Sequence, residues 1–407
     1  MNLGRGAACL AAVCVFVPGS VQAALWAADP SLEVSSAAND NYGLAFDRRD
    51  RVGLVSMTGG LVASRETETL ATRLNANLVG LFLRGDLHQD EWRDSLSLSH
   101  TLKGPVDTFA FDAKTARDET RQAPASSADV LIGGGGLQRD VTGDASWEHR
   151  LTERLSTTGA LAIARKRYSA TLLGAHDYQD GSGSASLRWL LDERDSVNAS
   201  VTHQDYRTLD NGVRSMTDSL DLGGSRALSE TSHAAVSVGA YRSRSSVVQP
   251  VLACAGNAAS CATPIVVAQV GHVARWGAQY DASYDGSLTE LTRLSASAAR
   301  HQDPSGAGVT VLSDTLRLGL DHACSETLTS ALSYTRSSSR YQGLTGGQAS
   351  RLQTLTASMS KQLSPQLSLR ATADHKRSAQ AFDGLHAHST SIAITLRYEW
   401  QRLEAHP

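Results

Sequence analysis

Apolar and polar residues alternate along most of this chain with a period of two. Ile392, Ile394, Leu396, Tyr398 and Trp400 fall on one set of positions, and Thr395, Arg397 and Glu399 on the other. Leu312, Leu316, Leu318 and Leu320 oppose Thr315, Arg317, Gly319 and Asp321, and Leu96, Leu98 and Leu102 oppose Ser95, Ser97, Ser99 and Thr101. Side chains of a β-strand point alternately to its two faces, so each segment predicts a strand with one apolar and one polar face. A short pattern punctuates the strands: Leu151-Thr-Glu, Leu191-Asp-Glu, Leu228-Ser-Glu, Leu288-Thr-Glu, Cys324-Ser-Glu and Leu363-Ser-Pro, at intervals of 40, 37, 60, 36 and 39 residues. Each instance ends one alternating segment just before the next begins, which reads as a tight turn. Between consecutive tight turns lies a longer polar stretch, such as Ala175–Gly183, Leu209–Val213, Gln302–Ala307 or Tyr341–Gln348. The repeating unit is therefore strand, long loop, strand, short turn.

Turns around Glu66–Glu68 and Lys103–Asp107 carry the scheme into the N-terminal half, for about eighteen strands in all, with sixteen the lower count. Short turns at one end and long loops at the other are the mark of an antiparallel up-and-down transmembrane barrel of the bacterial outer membrane. An even strand number puts both chain ends on the short-turn, periplasmic side. A sandwich or solenoid would share the alternation but not the alternating turn lengths. After Ala23 no run of about 18 apolar residues occurs, so the chain has no candidate membrane helix. Barrel grammar assigns the apolar face to lipid and the polar face to the lumen. Trp147, Trp189, Tyr398 and Trp400 stand close to short turns or the barrel's end, as expected of a periplasmic aromatic girdle. Tyr398 and Trp400 also make the last strand resemble the C-terminal signal read by the barrel-assembly machinery, with 401–407 following as a periplasmic tail.

Composition narrows the picture further. Residues 1–23 read as a Sec signal peptide: Arg5, an apolar stretch from Ala7 to Val17, and small residues at Val21 and Ala23 for cleavage. Neither Cys9 nor Cys14 sits in a lipobox. The barrel is thus expected over 24–400. With 41% apolar, 19% charged and 5% aromatic residues and a net charge of -3, the chain has no basic face for nucleic acid. The extra twenty residues of the 60-residue interval fall where Cys254 and Cys261 lie, and an exported protein favours a disulfide between them, closing an external loop. Cys324 is left over.

No motif calls for a cofactor or metal. Gly133–Gly136 lacks the Lys-Ser/Thr and helix of a phosphate loop, and His203, His233, His301, His322 and His375 share no ligand spacing. Asp374 and His375 are adjacent in a strand, so they point to opposite faces and cannot form a catalytic pair; the chain reads as a non-enzyme. Arg317, Asp321, Arg370, Asp374, Arg397 and Glu399 fall on lumen-facing positions, where they would line a permeation path, as would the uncharged Asn198, Ser200, Thr202, Gln204, Thr354 and Thr356.

Leu32–Asn41 with its terminal Asp40-Asn41 pair, Arg51–Ser64, Leu74–Arg84, Asp86–Leu102 and the Leu-Ser/Thr-Glu hairpin turns resemble the β-barrel porin family of bacterial exopolysaccharide export loci. The resemblance implies a passive outer-membrane channel that takes part in exporting an extracellular polysaccharide, with outer-membrane lipid, the polymer and periplasmic export components as partners. A general diffusion porin has the same lining, and a structural or adhesive barrel acting through its long loops is the third reading.

Overall fold

The computed structural model describes residues 26–46, 49–119, 136–169, 175–210, 212–254, 264–306, 310–341, 349–380, 385–401 and 403–405. Among these there is no helix. The strands are β1 (Trp26–Asn39), β2 (Val52–Glu66), β3 (Leu70–Gly85), β4 (Gln89–Lys103), β5 (Asp107–Glu119) and β6 (Leu137–Arg150). They continue as β7 (Leu155–Tyr168), β8 (Tyr178–Leu190), β9 (Asp195–Thr208), β10 (Arg214–Ser229), β11 (Ser232–Cys254) and β12 (Pro264–Thr289). The last are β13 (Thr292–Pro304), β14 (Thr310–Ser325), β15 (Leu328–Tyr341), β16 (Ala349–Ser364), β17 (Leu367–Gln380) and β18 (Leu385–Glu399), with a three-residue β19 (Leu403–Ala405). From β1 to β18 each strand pairs antiparallel with the next, and β1 also pairs with β18. The eighteen strands therefore close on themselves into one ring. β19 prolongs the seam by pairing with Trp26–Ala28, so part of the stretch after Trp400 belongs to the wall.

The six repeats share a physical device. The middle residue of each, Thr152, Asp192, Ser229, Thr289, Ser325 or Ser364, accepts a backbone N–H from two residues further on, at 2.7–3.4 Å. Short side chains that bond their own backbone in this way favour tight turns. At Asp192 two such bonds, from Arg194 and Asp195, hold the carboxyl below the usual carboxylate range.

Registered partners share a face, which separates the two sides of the wall cleanly. Leu161, Ile163, Leu220, Val236, Leu318, Leu332, Leu355 and Ile392 all face outward and are exposed, Leu161 at 68%. Their neighbours inward are small or polar: Ala162, Ala235 and Gly319 beside Ser219, Ser333, Thr354, Thr356 and the charged Asp221 and Arg317. An apolar exterior around a polar interior is the pattern of a barrel that crosses a bilayer. Trp147, Trp189 and Trp400 stand outward near the short turns, with Phe109 stacked on Trp147 at 6.3 Å. A second outward group lies toward the loop end: Phe82 with Trp92, Trp276 under Arg242, and Tyr280 under Arg300. The sequence reading assigned no role to this group.

Three expectations on boundaries change. The extra residues around Cys254 form strand, because β11 and β12 stay paired as far as Cys254 and Pro264. The long interval thus builds a projecting hairpin instead of a loose insertion. Tyr178–Gly183 belongs to β8 and Gln302–Pro304 to β13, both read as loop. Residues 1–23, Cys261 with its expected disulfide, and all of Gly133–Gly136 but Gly136 lie outside the described residues.

Candidate functional site

Among the described residues, polar side chains of β1 to β18 converge on the inner wall. Arg317 stands between Ser297 and Thr335 on the inward side. Asp321 and Arg370, from β14 and β17, line one depression of about 490 Å³ near the short turns together with Arg293. Arg293 in turn holds Asp285 through both carboxylate oxygens. Arg397 and Glu399 pair at 2.9 Å, half exposed. Asp374 points inward and accepts from Thr356 and Ser391, while His375 points outward to Thr390, so the two are split across the wall. Tyr398 and Trp400 lie on the outward side, ring to ring at 5.1 Å, and the Trp400 N–H donates to the Pro30 carbonyl at the seam.

Higher on the same wall, two glycines make room for side chains of neighbouring strands. Asp221 on β10 and Gln279 on β12 bond at 2.7 and 2.8 Å over Gly239 of the intervening β11, where a Cβ would collide with the Asp221 carboxylate. Tyr241 lies against Gly277 in the space a side chain would fill. Gln204 donates to Asp180, and Lys166 stands 3.7 Å from Asp140.

At the loop end the interior is occupied by the chain itself. Asn41 is buried and ties the β1–β2 connection down: its Nδ2 donates to the Ala45 and His388 carbonyls, and its Oδ1 accepts from the Ala45 N–H. Asp40 accepts from the Thr390 N–H at 2.6 Å, so the Asp-Asn pair stitches β1 to β18. Tyr42 then packs inward on Val52, Leu81 and Leu83. Its hydroxyl donates to Glu119 at 2.7 Å, and burial beside that carboxylate pushes the phenol pKa well above its ordinary value. Glu119 belongs to a buried charge cluster. Arg93, 11% exposed, reaches Glu119 at 2.7 Å, Asp118 at 3.2 Å and Glu91 at 3.3 Å, with Glu119 and Glu91 only 7% and 4% exposed.

A second intrusion comes from β13–β14. β12 and β13 stop pairing at Tyr280 and Arg300, although β11–β12 and β13–β14 both run on. The freed hairpin end reaches strands well removed from it in the sheet. The Ser305 carbonyl accepts from the buried Tyr206 hydroxyl of β9 at 2.7 Å, the Gly306 carbonyl accepts from the His176 N–H at 2.6 Å, and the Gln302 amide donates to Ser243 of β11 and Thr310. None of these contacts was foreseen from sequence. They depend on where the hairpin parts from β12, and strand alternation carries no information on that.

No family model and no curated protein matches this sequence. Its fold is similar to solved structures of Pseudomonas aeruginosa OpdL (13% identity, covering 93% of this chain and 99% of that one, TM-score 0.47) and of OccAB3 from Acinetobacter baumannii (8%, 93% and 99%, TM-score 0.47). Pseudomonas aeruginosa OpdK, solved with vanillate, is similar at 9% identity, 92% and 99% coverage and a TM-score of 0.45.

Proposed function

We propose that this protein is a passive channel of the bacterial outer membrane for small polar solutes, a diffusion porin in kind. The observation that carries the reading is the opposition of the two faces: eighteen closed strands put apolar side chains outside, and hydroxyls, amides and charges of both signs inside. A barrel of about 16–18 strands is wide enough for an aqueous path. Charges left exposed on the inner wall, such as Arg317, Arg370 and Arg397, bias which ions and solutes enter. The contacts of Tyr42 and Ser305 inside the loop end favour short solutes over a long polymer. Export of an extracellular polysaccharide rests on the sequence resemblance, and its support from the wall is the ladder of uncharged hydrogen-bonding groups at Asn198, Ser200, Thr202 and Gln204.

Conductance of the purified protein in a planar bilayer tests the proposal. Discrete open-channel steps are expected, with a reversal potential that shifts under a salt gradient. A protein that inserts, shows its heat-dependent gel shift and carries no current would be a structural barrel. Concentration-dependent block by neutral oligosaccharides, stronger than by monosaccharides, would favour the polysaccharide reading.

A further inference from the structure

The outward face is apolar through the middle of the wall and turns basic toward the loop end. Arg84, Arg117, Arg139, Arg165, Arg167 and Arg207 are exposed there, on strands β3 to β9. Several cations at this level are neutralised by neighbours: Arg84 by Asp90 at 2.5 Å, Arg214 by Asp205 at 2.6 Å, Arg300 by Asp314 at 2.5 Å. On β5–β7 the arrangement differs. Arg117, Arg139 and Arg167 stand directly opposite one another in register, with Arg165 one outward position below Arg167. None of the four forms an ion pair with a described residue, and Asp94, opposite Arg117, does not close one. Like charges in direct cross-strand register repel at about 5 Å, which is an unfavourable arrangement unless an anion sits among them.

Below the row, β4 to β10 carry a groove of about 950 Å³ on the outward surface, running from Phe109 and Trp147 near the short turns to His203 and Asp218. Small outward residues hollow it out: Ala145, Gly159, Gly183 and Ala185, walled by Leu161 and Val201. The space above Gly159 is open, with nothing within 4 Å of where a Cβ would stand. His203 and Asp218 at its edge are hydrogen-bonded to each other at 2.7 Å. Four residues separate Leu161 from Arg165, about 13 Å along a strand. The face thus presents a seat for an apolar chain with an unpaired cationic row just above it.

We infer that the outward face of β5–β9 binds a phosphorylated lipid of the outer leaflet, its phosphates on Arg117, Arg139, Arg165 and Arg167 and an acyl chain in the groove. Guanidinium forks match phosphate oxygens two at a time, and at the membrane surface such pairs are only partly screened. A second copy of the chain fits the face less well. Symmetric docking through the groove would bring two unneutralised arginine rows together. The inference rests on the loops facing outward from the cell, as in the proposed function, and needs no conduction.

The test is native mass spectrometry of the detergent-purified barrel with diphosphoryl lipid A, its dephosphorylated form, or inorganic phosphate. Retention of the phosphorylated lipid is expected, with the dephosphorylated form bound at least about tenfold more weakly, equivalent to 1.4 kcal/mol. Arg139→Gln with Arg167→Gln should weaken retention to a similar degree. Gly159→Val, which fills open space and suits a strand, should do so without touching the arginines. Millimolar inorganic phosphate should fail to displace the lipid, because it cannot use the groove. Equal binding of the two lipid forms, unchanged retention by the arginine variant, or full displacement by phosphate would overturn the inference. So would a Gly159→Val variant that changed oligomeric mass and left lipid retention intact, since that face would then join copies of the chain.

Discussion

The two ends of the inner wall are built by the same alternation from the same residue types, yet their charges live in different surroundings. Near the short turns, Arg397–Glu399 and Arg293–Asp285 are ion pairs at 2.9 and 2.5 Å between side chains roughly half to two-thirds exposed. Pairs in such water-rich settings add little to stability. At the loop end Arg93 is enclosed by Glu91, Asp118 and Glu119 beneath the inward-folded β1–β2 connection. What distinguishes the ends is the chain that returns into the lumen, not the wall. An inward charge is open to passing solute where nothing covers it and becomes a structural anchor where a connection does.

Removing the anchor should break this contrast most sharply. Arg93→Met leaves three carboxylates together, two of them buried, and breaking a buried charge network from one side costs about 3–5 kcal/mol. The expected readout is a lower denaturant midpoint for the heat-modifiable folded form. Adding Glu119→Gln should recover part of the loss; no shift in either variant would mean the cluster is wet and resembles the turn end. Next in size is Gly277→Val, which drives a side chain into the Tyr241 ring. Overpacking of this kind costs about 1–3 kcal/mol. The same substitution at Gly159, where nothing lies within 4 Å, should cost much less by the same assay.

These sites also show what the sequence could disclose. Strand alternation and the Leu-X-Glu turns were legible because each is local: period two sets the faces, and the residue after Leu caps its own turn, as Thr152 and Asp192 do. The inward placement of Arg317 or Arg370 follows from alternation alone. The burial of Arg93 does not, since it depends on Tyr42 and Glu119 arriving from elsewhere in the chain. The Asp40-Asn41 pair was visible as a motif, but its work of joining β1 to β18 requires His388 and Thr390 across the seam. The 60-residue interval predicts a loop, because length does not say whether added residues stay paired, and β11–β12 do. The arginines on β5–β7 carried a usable signal: Arg165 and Arg167 continue the outward positions of Leu161 and Ile163. Only the register shows that Arg117, Arg139 and Arg167 meet.

A smaller effect is expected at the second intrusion. Tyr206→Phe removes the hydrogen bond to the Ser305 carbonyl and leaves the ring packed, a change of about 1 kcal/mol. Stability should fall slightly. Single-channel records should change more, toward larger or noisier open levels, because the β13–β14 end loses its tether to β9. Identical records for wild type and variant would mean that this end does not limit the path.

The smallest stability effect, and the most direct readout of permeation, belongs to the turn end. Arg317, Arg370 and Arg397 are inward and exposed, and Arg397→Gln gives up only the half-exposed pair with Glu399. Replacing all three by glutamine should leave the unfolding midpoint within about 1 kcal/mol of wild type, the usual range for exposed pairs. Ion selectivity should still shift, because the potential inside a low-dielectric tube depends on the summed fixed charge more than on any one contact. Three positive charges leave while Asp285, Asp321, Asp374 and Glu399 stay, so the reversal potential under a salt gradient should move toward that of cations. The shift should shrink at high salt, where the Debye length falls to about 3 Å at 1 M. Arg93→Met, by contrast, should change stability more than selectivity if the loop-end cluster is sealed from solution. A selectivity unchanged by the triple substitution, in a barrel that folds and conducts, would place the ion path away from the wall segment shared by β14, β17 and β18.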